Sequence, residues 1–382
     1  MLYNNSYKFQ AVIYYFLLED WAKIMFDQFT TDPYSFDDVT SSPITPVTPT
    51  SDVLRLGRLL PSSIYLGCAS WNFPGWKGIV WGETSGVEDL TRRGLAAYAK
   101  HPVLRAVGID WSFFGTLNEM AYAAMASQVD EKFRFLIKAP QNVTDAVKRD
   151  PKGRFRALNQ EFLDLHCAMH EFVYPVINGL GDNAGPLVFQ LSPIPRPLLP
   201  TQAECYSYID RIAQFFADLP KEVEGETPIY AVEVRTLSIY TKRLLNALRP
   251  SGVRLVIGVH PSMPDVIRQT AALRYYEDPE AEGENWQMKG PLVVRWSLNP
   301  IQRHGVAKMT YAPFNRIVHP DPATRAGLVH LVTQAQRSGQ QSYVITNNKA
   351  EGSAPLTMIE LAREITQKLT EEKNVDSDPR QI

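Results

Sequence analysis

Short apolar runs alternate with longer helical patterns along most of this chain. The runs are rich in Val, Ile and aromatic residues, whereas the segments between them carry apolar residues at spacings of three and four, as amphipathic helices do. Strands that alternate with helices are typical of βαβ units, which build parallel sheets. The predicted strands cover residues 64–69, 104–110, 132–139, 185–191, 229–235, 253–259, 291–297 and 342–347. Eight such strands with crossover helices predict a closed (β/α)8 TIM barrel, an α/β fold.

The chain is longer than a barrel requires. A barrel uses about 250 residues, and this chain has 382, so the surplus is expected in appendages. We predict an N-terminal extension over residues 1–60, a TIM-barrel domain over 61–370 and a polar tail over 371–382. In the extension, the apolar run 11–18 is interpreted as a short amphipathic helix. The Pro/Ser/Thr-rich residues up to 52 are interpreted as a linker, because they bury too little apolar surface to fold alone.

Composition narrows the classes of function. The 39 basic and 41 acidic residues nearly balance, so no general positive field would hold polyanions. Three cysteines are too few and too scattered for a disulfide framework, and they indicate reduced thiols in a cytoplasmic protein. The apolar run 11–18 is too short to span a bilayer and lacks the flanking pattern of a signal peptide. We therefore predict no membrane span.

Strand parity predicts which side chains enter the barrel, because successive residues of a strand point to opposite faces. In the fifth strand Val232 and Val234 suit the helix layer, which sends Glu233 and Arg235 inward. The same reasoning on the other strands sends further polar side chains inward near the carboxyl ends, where barrel enzymes assemble their sites. These further residues are Asp110, Lys138, Gln190, His260 and Arg295.

The expected inward set carries one net positive charge, which favours a small anionic ligand. Arg235 and Arg295 offer planar forks for carboxylate or phosphate, and Lys138 adds a point charge. A carboxylate held among cations stays ionised, so Glu233 is the candidate base. We expect these four residues to converge on one hollow at the barrel rim. The alternative is a buried ion network that only fills the lumen.

Asp110 and His260 are further candidates for catalytic roles, beside Lys138 and Glu233. With Glu233 they would also offer ligands for a divalent metal. The neighbouring cations would repel such an ion, and the three residues have no distinctive spacing. His166 lies four residues before a second histidine, which we interpret as a pair on a helix surface. The sequence therefore predicts neither a metal nor a cofactor.

Several segments, in order from residue 62 to residue 370, carry a family resemblance. They are GCASWNFPGWKG, GIDWSFF, FRFLIKAP, AGPLVFQLSP, YAVEVR and NNKAEGSAP. On these segments the chain resembles the domain of unknown function 72 family of TIM-barrel proteins, in a longer branch that carries NNKAEGSAP. The resemblance implies the barrel fold and a polar mouth, but no reaction. The matching mouth residues are Lys138, Gln190, Glu233, Arg235, Asn347 and Asn348.

The chain departs from the family pattern at two strands. Where many members have a Glu two residues before an Asn in the second strand, this chain has Gly108 and Asp110. Their Arg-Leu-His in the seventh strand is here Arg295, Trp296 and Ser297. A chemistry that depends on the missing Glu or His is therefore not expected.

The loops after the first and last strands offer additional binding groups. Trp71 and Trp76 are candidates to stack on a sugar ring or a base, with packing above the barrel as the alternative. Ser353 is the predicted N-cap of a helix that starts at Ala354, whose exposed amides would suit a phosphate. Gly352 would permit a tight turn or a close backbone approach.

Three functions remain open from the sequence. The first is an enzyme acting on a small phosphorylated or carboxylated, sugar-like molecule. The second is a barrel that binds nucleic acid or cleaves its phosphodiesters, and the third is a non-catalytic binding module. The second would use a rim of basic loop residues: Lys77, Lys148, Arg149, Lys152, Arg154, Arg303 and Lys308. Nothing in the sequence specifies an oligomeric state.

Overall fold

A computed structural model describes residues 43–150, 153–281, 283 and 285–376. The apolar run 11–18, Lys152 and residues 377–382 lie outside the described residues. The described strands are β1 (Ile64–Cys68), β2 (Leu104–Ile109), β3 (Arg134–Lys138), β4 (Val147–Arg149), β5 (Phe155–Leu158), β6 (Ala184–Leu191), β7 (Tyr230–Val234), β8 (Arg254–Leu255), β9 (Ile257–Val259), β10 (Leu292–Trp296) and β11 (Ser342–Thr346).

Helices fill the connections between most strands. They are α1 (Ser51–Leu59), α2 (Val87–Tyr98), α3 (Glu119–Ala126), α4 (Gln141–Thr144), α5 (Leu165–Ala168), α6 (Tyr174–Leu180), α7 (Gln202–Asp218), α8 (Lys242–Leu248), α9 (Val266–Glu277), α10 (His304–Tyr311), α11 (Pro322–Arg337) and α12 (Ala354–Asp376). A π-helical turn, Met169–Val173, joins α5 to α6. No helix within the described ranges has both the length and the apolar character needed to cross a bilayer.

The described residues divide into two compact units. In the first unit, which holds nearly all of β3 and β4 to β7, the parallel strands run in the order β7-β6-β3. In the second unit, the parallel order is β2-β1-β11-β10-β9. Parallel strands joined by helical connections are the repeating element of the (β/α)8 barrel. The chain is accordingly an α/β protein of the TIM-barrel class, as the alternating pattern predicts.

Each predicted strand is present, with ends that differ by at most two residues. The sixth is interrupted at Val256, which separates β8 from β9. The structure adds an antiparallel hairpin of β4 and β5 that the pattern did not predict. Its outer strand leaves Phe155 and Leu158 about half exposed. The hairpin is rich in charge and buries little, so it lacks the apolar signal that marks a strand.

The core of the first unit shows why β6 presents its polar residue to the opposite face. The ring of Phe189 meets those of Phe172, Phe215 and Phe216 edge-on, at centroid distances of 5.4 to 5.5 Å. Aromatic contacts of this kind fix the helix-facing side of the strand. Because neighbouring residues of a strand point in opposite directions, Gln190 faces away from this helix layer.

Residues 43–60 pack within the second unit. Val47 N–H donates to Val80 over 2.8 Å, and Gly82 N–H donates to Thr45 over 2.9 Å. The α1 helix follows and buries Leu56, which is 1% exposed. The Arg105 guanidinium donates to the carbonyls of Gly57, Leu60 and Pro61 at 2.6 to 3.1 Å, which holds the end of α1. Scattered apolar residues thus anchor a stretch whose composition alone favours a linker.

Two glycines occur where the backbone approaches other backbone closely. A Cβ on Gly75 would lie 1.7 Å from the carbonyl oxygen of Pro313. Gly352 adopts a φ of +125°, and a Cβ there would meet the carbonyl oxygen of Arg316 at 2.6 Å. The close backbone approach considered for Gly352 from the sequence is therefore observed.

Candidate functional site

Polar side chains collect at the carboxyl ends of three neighbouring strands in the first unit. Gln190 of β6 pairs directly with Glu233 of β7, and Lys138 ends β3 opposite Val188 of β6. Since register partners and alternate residues share a face, Lys138, Gln190 and Glu233 lie on the same face of this sheet. Arg235, two residues after Glu233, follows the same alternation. We call these four residues the Glu233 cluster.

The Glu233 cluster contains a buried ion pair. Arg235 Nη2 contacts Glu233 Oε1. Arg235 is 8% exposed and Glu233 is 0% exposed. Lys138 is 8% exposed, and its Nζ lies 3.6 Å from the centroid of the Phe113 ring. A cation above an aromatic face is stabilised by the ring quadrupole. Two cationic groups and one carboxylate are therefore held with little access to bulk water.

Asp110 lies at the start of a short 3-10 turn beside this cluster. The turn spans Trp111–Phe113, and the Ser112 hydroxyl donates to the carbonyls of Ile109 at 2.7 Å and Lys138 at 2.6 Å. These bonds tie the loop after β2 to the end of β3. Asp110 is half-buried, so the loop places a further carboxylate near the strand ends of the first unit.

A second group of polar residues follows the strands of the second unit. Arg295 of β10 pairs with Gly258 of β9 and with Ile345 of β11. His260 and Asn347 come two residues after these partners, so strand alternation places them on the face of Arg295. Arg295 is 3% exposed, whereas His260 and Asn347 are half-buried. The predicted convergence of Arg295 with the Glu233 cluster stays a prediction.

Trp71 and Trp76 have packing roles. Both are 0% exposed. The indole N–H of Trp71 donates to the carbonyls of Leu90 at 3.1 Å and Thr91 at 3.3 Å, and that of Trp76 donates to Asn348 Oδ1 at 3.1 Å. Buried rings with bonded N–H groups offer no face for stacking a ligand. The packing alternative therefore describes them, and we leave them out of the proposed site.

The helix start at Ala354 differs from the sequence expectation. Asn348 Oδ1, rather than the Ser353 hydroxyl, accepts the N–H of Ala354, over 2.8 Å. The Ser353 hydroxyl is buried and has no hydrogen-bond partner within the described residues. Asn348 lies closer in space than its sequence separation indicates, because the glycine turn at 352 folds the loop back. The amides considered for phosphate are therefore buried and partly capped, and this end of α12 is not an anion site.

The basic rim predicted for nucleic acid is partly neutralised. Arg149 pairs with Asp145 over 2.8 Å, and Arg154 Nε donates to Asp150 over 2.7 Å. Lys152 lies outside the described residues. These arginines have carboxylate partners in the hairpin or just before it, which reduces the positive field they present to phosphates.

The remaining candidates from the sequence are a buried cysteine and a pair of histidines on a helix. Cys68 is buried, and burial raises the pKa of its thiol, so it is unsuited to nucleophilic attack. His166 and His170 are exposed, with ring centroids 4.2 Å apart on the helix surface where the sequence placed them. Within the described ranges, no group of three or more His, Cys, Asp or Glu side chains is placed to hold a metal ion.

His304, the first residue of α10, was not among the candidates from the sequence. Burial, together with the positive charges of Lys349, His260 and Lys308, lowers the pKa of His304 to about 3. The only sequence signal was indirect: residues 285–320 contain no Asp or Glu. A long stretch without acids indicates a positively charged surface.

Parallel strands joined by helices define the chain as a TIM-barrel protein. The polar side chains at the carboxyl ends of these strands mark the candidate site. A family model described as "Protein of unknown function DUF72" matches residues 65–381. The chain therefore belongs to the DUF72 family, as its segments predicted.

Solved structures of DUF72 family proteins are similar to this chain. One, from Enterococcus faecalis V583, shares 17% identity with a TM-score of 0.49 and covers 79% of this chain and 95% of its own. Another, from Thermotoga maritima MSB8, shares 15% identity with a TM-score of 0.47 and covers 78% of this chain and 98% of its own. Among curated proteins, no sequence matches this chain significantly.

Proposed function

We propose that this protein is an enzyme that binds a small anionic, sugar-like molecule at the Glu233 cluster. In this proposal Glu233 is the base, and Lys138 and Arg235 anchor the negative charge of the ligand. Gln190, opposite Glu233, contributes an amide that orients a hydroxyl group. The observation that carries the proposal is the buried pair of Glu233 and Arg235 at the carboxyl end of its strand.

A second buried pair shows what a structural ion pair looks like in this chain. Arg254 begins β8 and contacts Glu277, and both are buried. Arg254 Nε also donates to Pro291 O over 2.9 Å, and Glu277 Oε2 accepts the N–H of Lys289 over 2.8 Å. These bonds tie backbone segments together at the amino end of a strand, where polar residues serve stability. The pair of Glu233 and Arg235 lies instead at the carboxyl end of its strand. This is the end at which barrel enzymes place their catalytic residues.

The proposed chemistry follows from the charges. Moving a charged group out of water costs several kcal/mol per ion, before the attraction between the two ions is counted. A buried ion pair is therefore expected to have a structural or a functional role. Glu233 can accept a proton from a substrate hydroxyl or from an acidic carbon. Lys138 and Arg235 then stabilise the charge that develops, because their attraction is strong where water is excluded. A phosphorylated or carboxylated sugar supplies both the anionic handle and the hydroxyl.

The proposal also includes candidate residues outside the Glu233 cluster, which are taken unit by unit. Asp110 is a second candidate carboxylate, and Arg295, His260 and Asn347 are candidate ligand-binding residues of the second unit. The proposed mechanism uses no metal or cofactor. We also infer a cytoplasmic location, which is supported by three cysteines that are all within the described residues and all unpaired.

A thermal-shift screen with phosphorylated and carboxylated sugars tests the binding step. A ligand at a hundredfold excess over its Kd stabilises the folded state by about 2.7 kcal/mol, which raises Tm measurably. We expect Lys138→Met to abolish the shift produced by any such ligand. Glu277→Gln is the matched control, since it alters a buried Glu–Arg pair outside the cluster and keeps the shift. An equal shift in Lys138→Met and the wild type would exclude the cluster as the binding site.

Oligonucleotide binding measured at several salt concentrations tests the nucleic-acid alternative. A single-stranded oligonucleotide that contacts several phosphates loses affinity steeply as salt rises, with a slope of roughly −0.7 per phosphate contact. We expect no binding of this kind, because paired arginines dominate the described part of the hairpin rim. Oligonucleotide binding with a steep salt slope, and no shift with small anions, would replace our proposal with the alternative.

A further inference from the structure

The α10 helix exposes apolar side chains on the side away from its core contacts. Ala307 and Tyr311 face inward, where they pack with Leu298. On the outer side Val306 is 45% exposed and Met309 is 67% exposed. Residues three apart on a helix are neighbours, so these two side chains form one surface.

The turn before α10 adds a third apolar side chain. Ile301 lies two residues before Arg303, the N-cap of the helix, and is 82% exposed. We call Ile301, Val306 and Met309 the α10 patch. Single exposed apolar residues are common on protein surfaces, whereas grouped ones mark interaction sites. The α10 patch is therefore a candidate docking surface.

Positive charge accompanies the α10 patch along the chain. Arg303 precedes the helix and Arg316 follows it, and both side chains are exposed. Residues 285–320 contain no Asp or Glu, so the segment that carries the patch contributes only basic charges. A surface that is both apolar and basic favours an occupant that is both apolar and acidic.

Residues 1–42 of this chain have the matching composition. They lie outside the described residues, and they include six acidic residues but only two basic ones. The apolar run 11–18 is followed at once by Glu19 and Asp20. Helices that dock on a protein surface present apolar anchors on one face, with charged residues beside them. The sequence of this segment therefore fits the α10 patch in both respects.

The described chain begins near the end of α10. Two residues into it, the carbonyl of Thr45 accepts the N–H of Gly82, in the loop after β1, over 2.9 Å. The same loop reaches the segment after α10, where the rings of Phe73 and Phe314 meet with centroids 5.5 Å apart. Phe314 N–H in turn donates over 2.8 Å to the carbonyl of Tyr311, the last residue of α10. One loop thus connects the start of the described chain to this helix.

The connection is long enough for docking. Residues 19–42 join the apolar run to the described chain. An extended chain spans about 3.3 Å per residue, so these residues reach roughly 80 Å. A small domain measures only about 30 Å across. The apolar run can therefore reach the α10 patch without a change in the described fold.

We propose that residues 1–42 dock on the α10 patch of the same chain, with the apolar run 11–18 against its three side chains. The acidic residues that follow the run then face the two exposed arginines, which adds a favourable charge interaction. Because α10 follows the carboxyl end of β10, the docked segment covers part of the rim where barrels bind ligands. The proposal uses no residue of the Glu233 cluster and holds whether or not Glu233 is a base.

Oxidation of Met309 by hydrogen peroxide, followed by mass spectrometry, tests the docking, because the thioether must be exposed to react. A tethered segment has an effective concentration of about 1 mM, so a Kd of about 0.1 mM protects Met309 about tenfold. We expect Met309 to be oxidised about tenfold or more slowly in the full chain than in a chain that starts at Pro43. Met120, which is 49% exposed on α3, is the internal control and should react equally in both.

Two exposed isoleucines of the second unit supply matched variants of the full chain. We expect Ile301→Ser to speed the oxidation of Met309 about tenfold, because burial of an isoleucine side chain is worth a factor of about ten or more in affinity. Ile267→Ser alters a residue that is 76% exposed on α9 and should leave the rate unchanged. These variants keep residues 1–42, so the test stands even if the chain that starts at Pro43 does not fold.

Three results would overturn the proposal. The first is an equal rate of Met309 oxidation in the full chain, the shortened chain and Ile301→Ser. The second is protection of Met309 that depends on protein concentration, which would assign the α10 patch to a second copy of the chain. The third is equal slowing of Met120 and Met309 in the full chain. Glu233→Gln should leave the Met309 rate unchanged, so failure of the catalytic proposal is distinguishable from failure of this one.

Discussion

Trp76 donates its indole N–H to the side-chain oxygen of Asn348 over 3.1 Å, inside the second unit. The same oxygen accepts the N–H of Ala354 over 2.8 Å. One buried amide therefore holds the loop after β1 and caps the final helix, α12. Both residues had been candidates for ligand binding, and the hydrogen bonds give them a structural role.

Replacing Asn348 tests that role. We expect Asn348→Ala to lower the free energy of unfolding by about 2 to 3 kcal/mol, because it removes a helix cap and leaves the Trp76 N–H unsatisfied. Urea unfolding monitored by circular dichroism measures the change. Asn347→Ala is the control, since the half-buried side chain of Asn347 accepts the N–H of Lys349 over 3.0 Å and caps no helix. Equal losses in both variants would show that the cap contributes nothing specific.

The segment before β1 gives a second prediction. A chain that starts at Pro61 loses the buried side chains of Leu56 and Leu60, together with two of the three carbonyls that Arg105 binds, those of Gly57 and Leu60. Burial of each leucine is worth about 1.5 to 3 kcal/mol. We expect this chain to be less stable by about 3 kcal/mol or more than a chain that starts at Pro43, as measured by urea unfolding. Identical unfolding curves would show that α1 adds nothing to the second unit.

His101 gives a pH-dependent prediction. Burial lowers the pKa of this histidine to about 4, from 6.5, and its Nδ1 accepts the N–H of Val103 over 3.3 Å. Because the folded-state pKa is the lower one, the unfolded chain binds the proton more readily. The contribution of His101 to stability is complete above pH 6.5 and is lost as the pH falls toward 4.

Comparison with His101→Gln isolates this contribution. Between pH 7 and pH 5 we expect the wild type to lose about 2 kcal/mol more unfolding free energy than the variant. Urea unfolding at the two pH values gives both differences, and His304 affects the two proteins alike. Parallel losses in the wild type and the variant would mean that His101 is not buried in its neutral form.

Much of the fold was predictable because its signals are local. Runs such as YAVEVR combine β-branched residues with alternation, and the structure places β7 within one residue of that run. The β4–β5 hairpin was not predictable, since its charged strands bury little and only their mutual pairing defines them. Strand β8 separates from β9 at Val256, an interruption that an unbroken apolar run does not reveal.

The candidate site was predictable only in part, because its contacts depend on residues far apart in sequence. Strand parity placed Gln190 and Glu233 on one face, and their register agrees with it. Parity says nothing about loops, so the contact between Trp76 and Asn348 was not foreseen. The same limit concealed His304, because two of its basic neighbours, His260 and Lys349, are far from it in sequence.

Turnover by Glu233→Gln is the most direct test of the proposal that Glu233 is a base. The substrate is the compound that stabilises the wild type in the thermal-shift screen, and each variant is assayed at a saturating concentration. We predict that Glu233→Gln binds this compound and loses kcat by about a hundredfold or more, as removal of a general base requires. Glu277→Gln, the matched buried pair, should keep the wild-type kcat. A folded Glu233→Gln protein with unchanged kcat would contradict the assignment of Glu233 as the base.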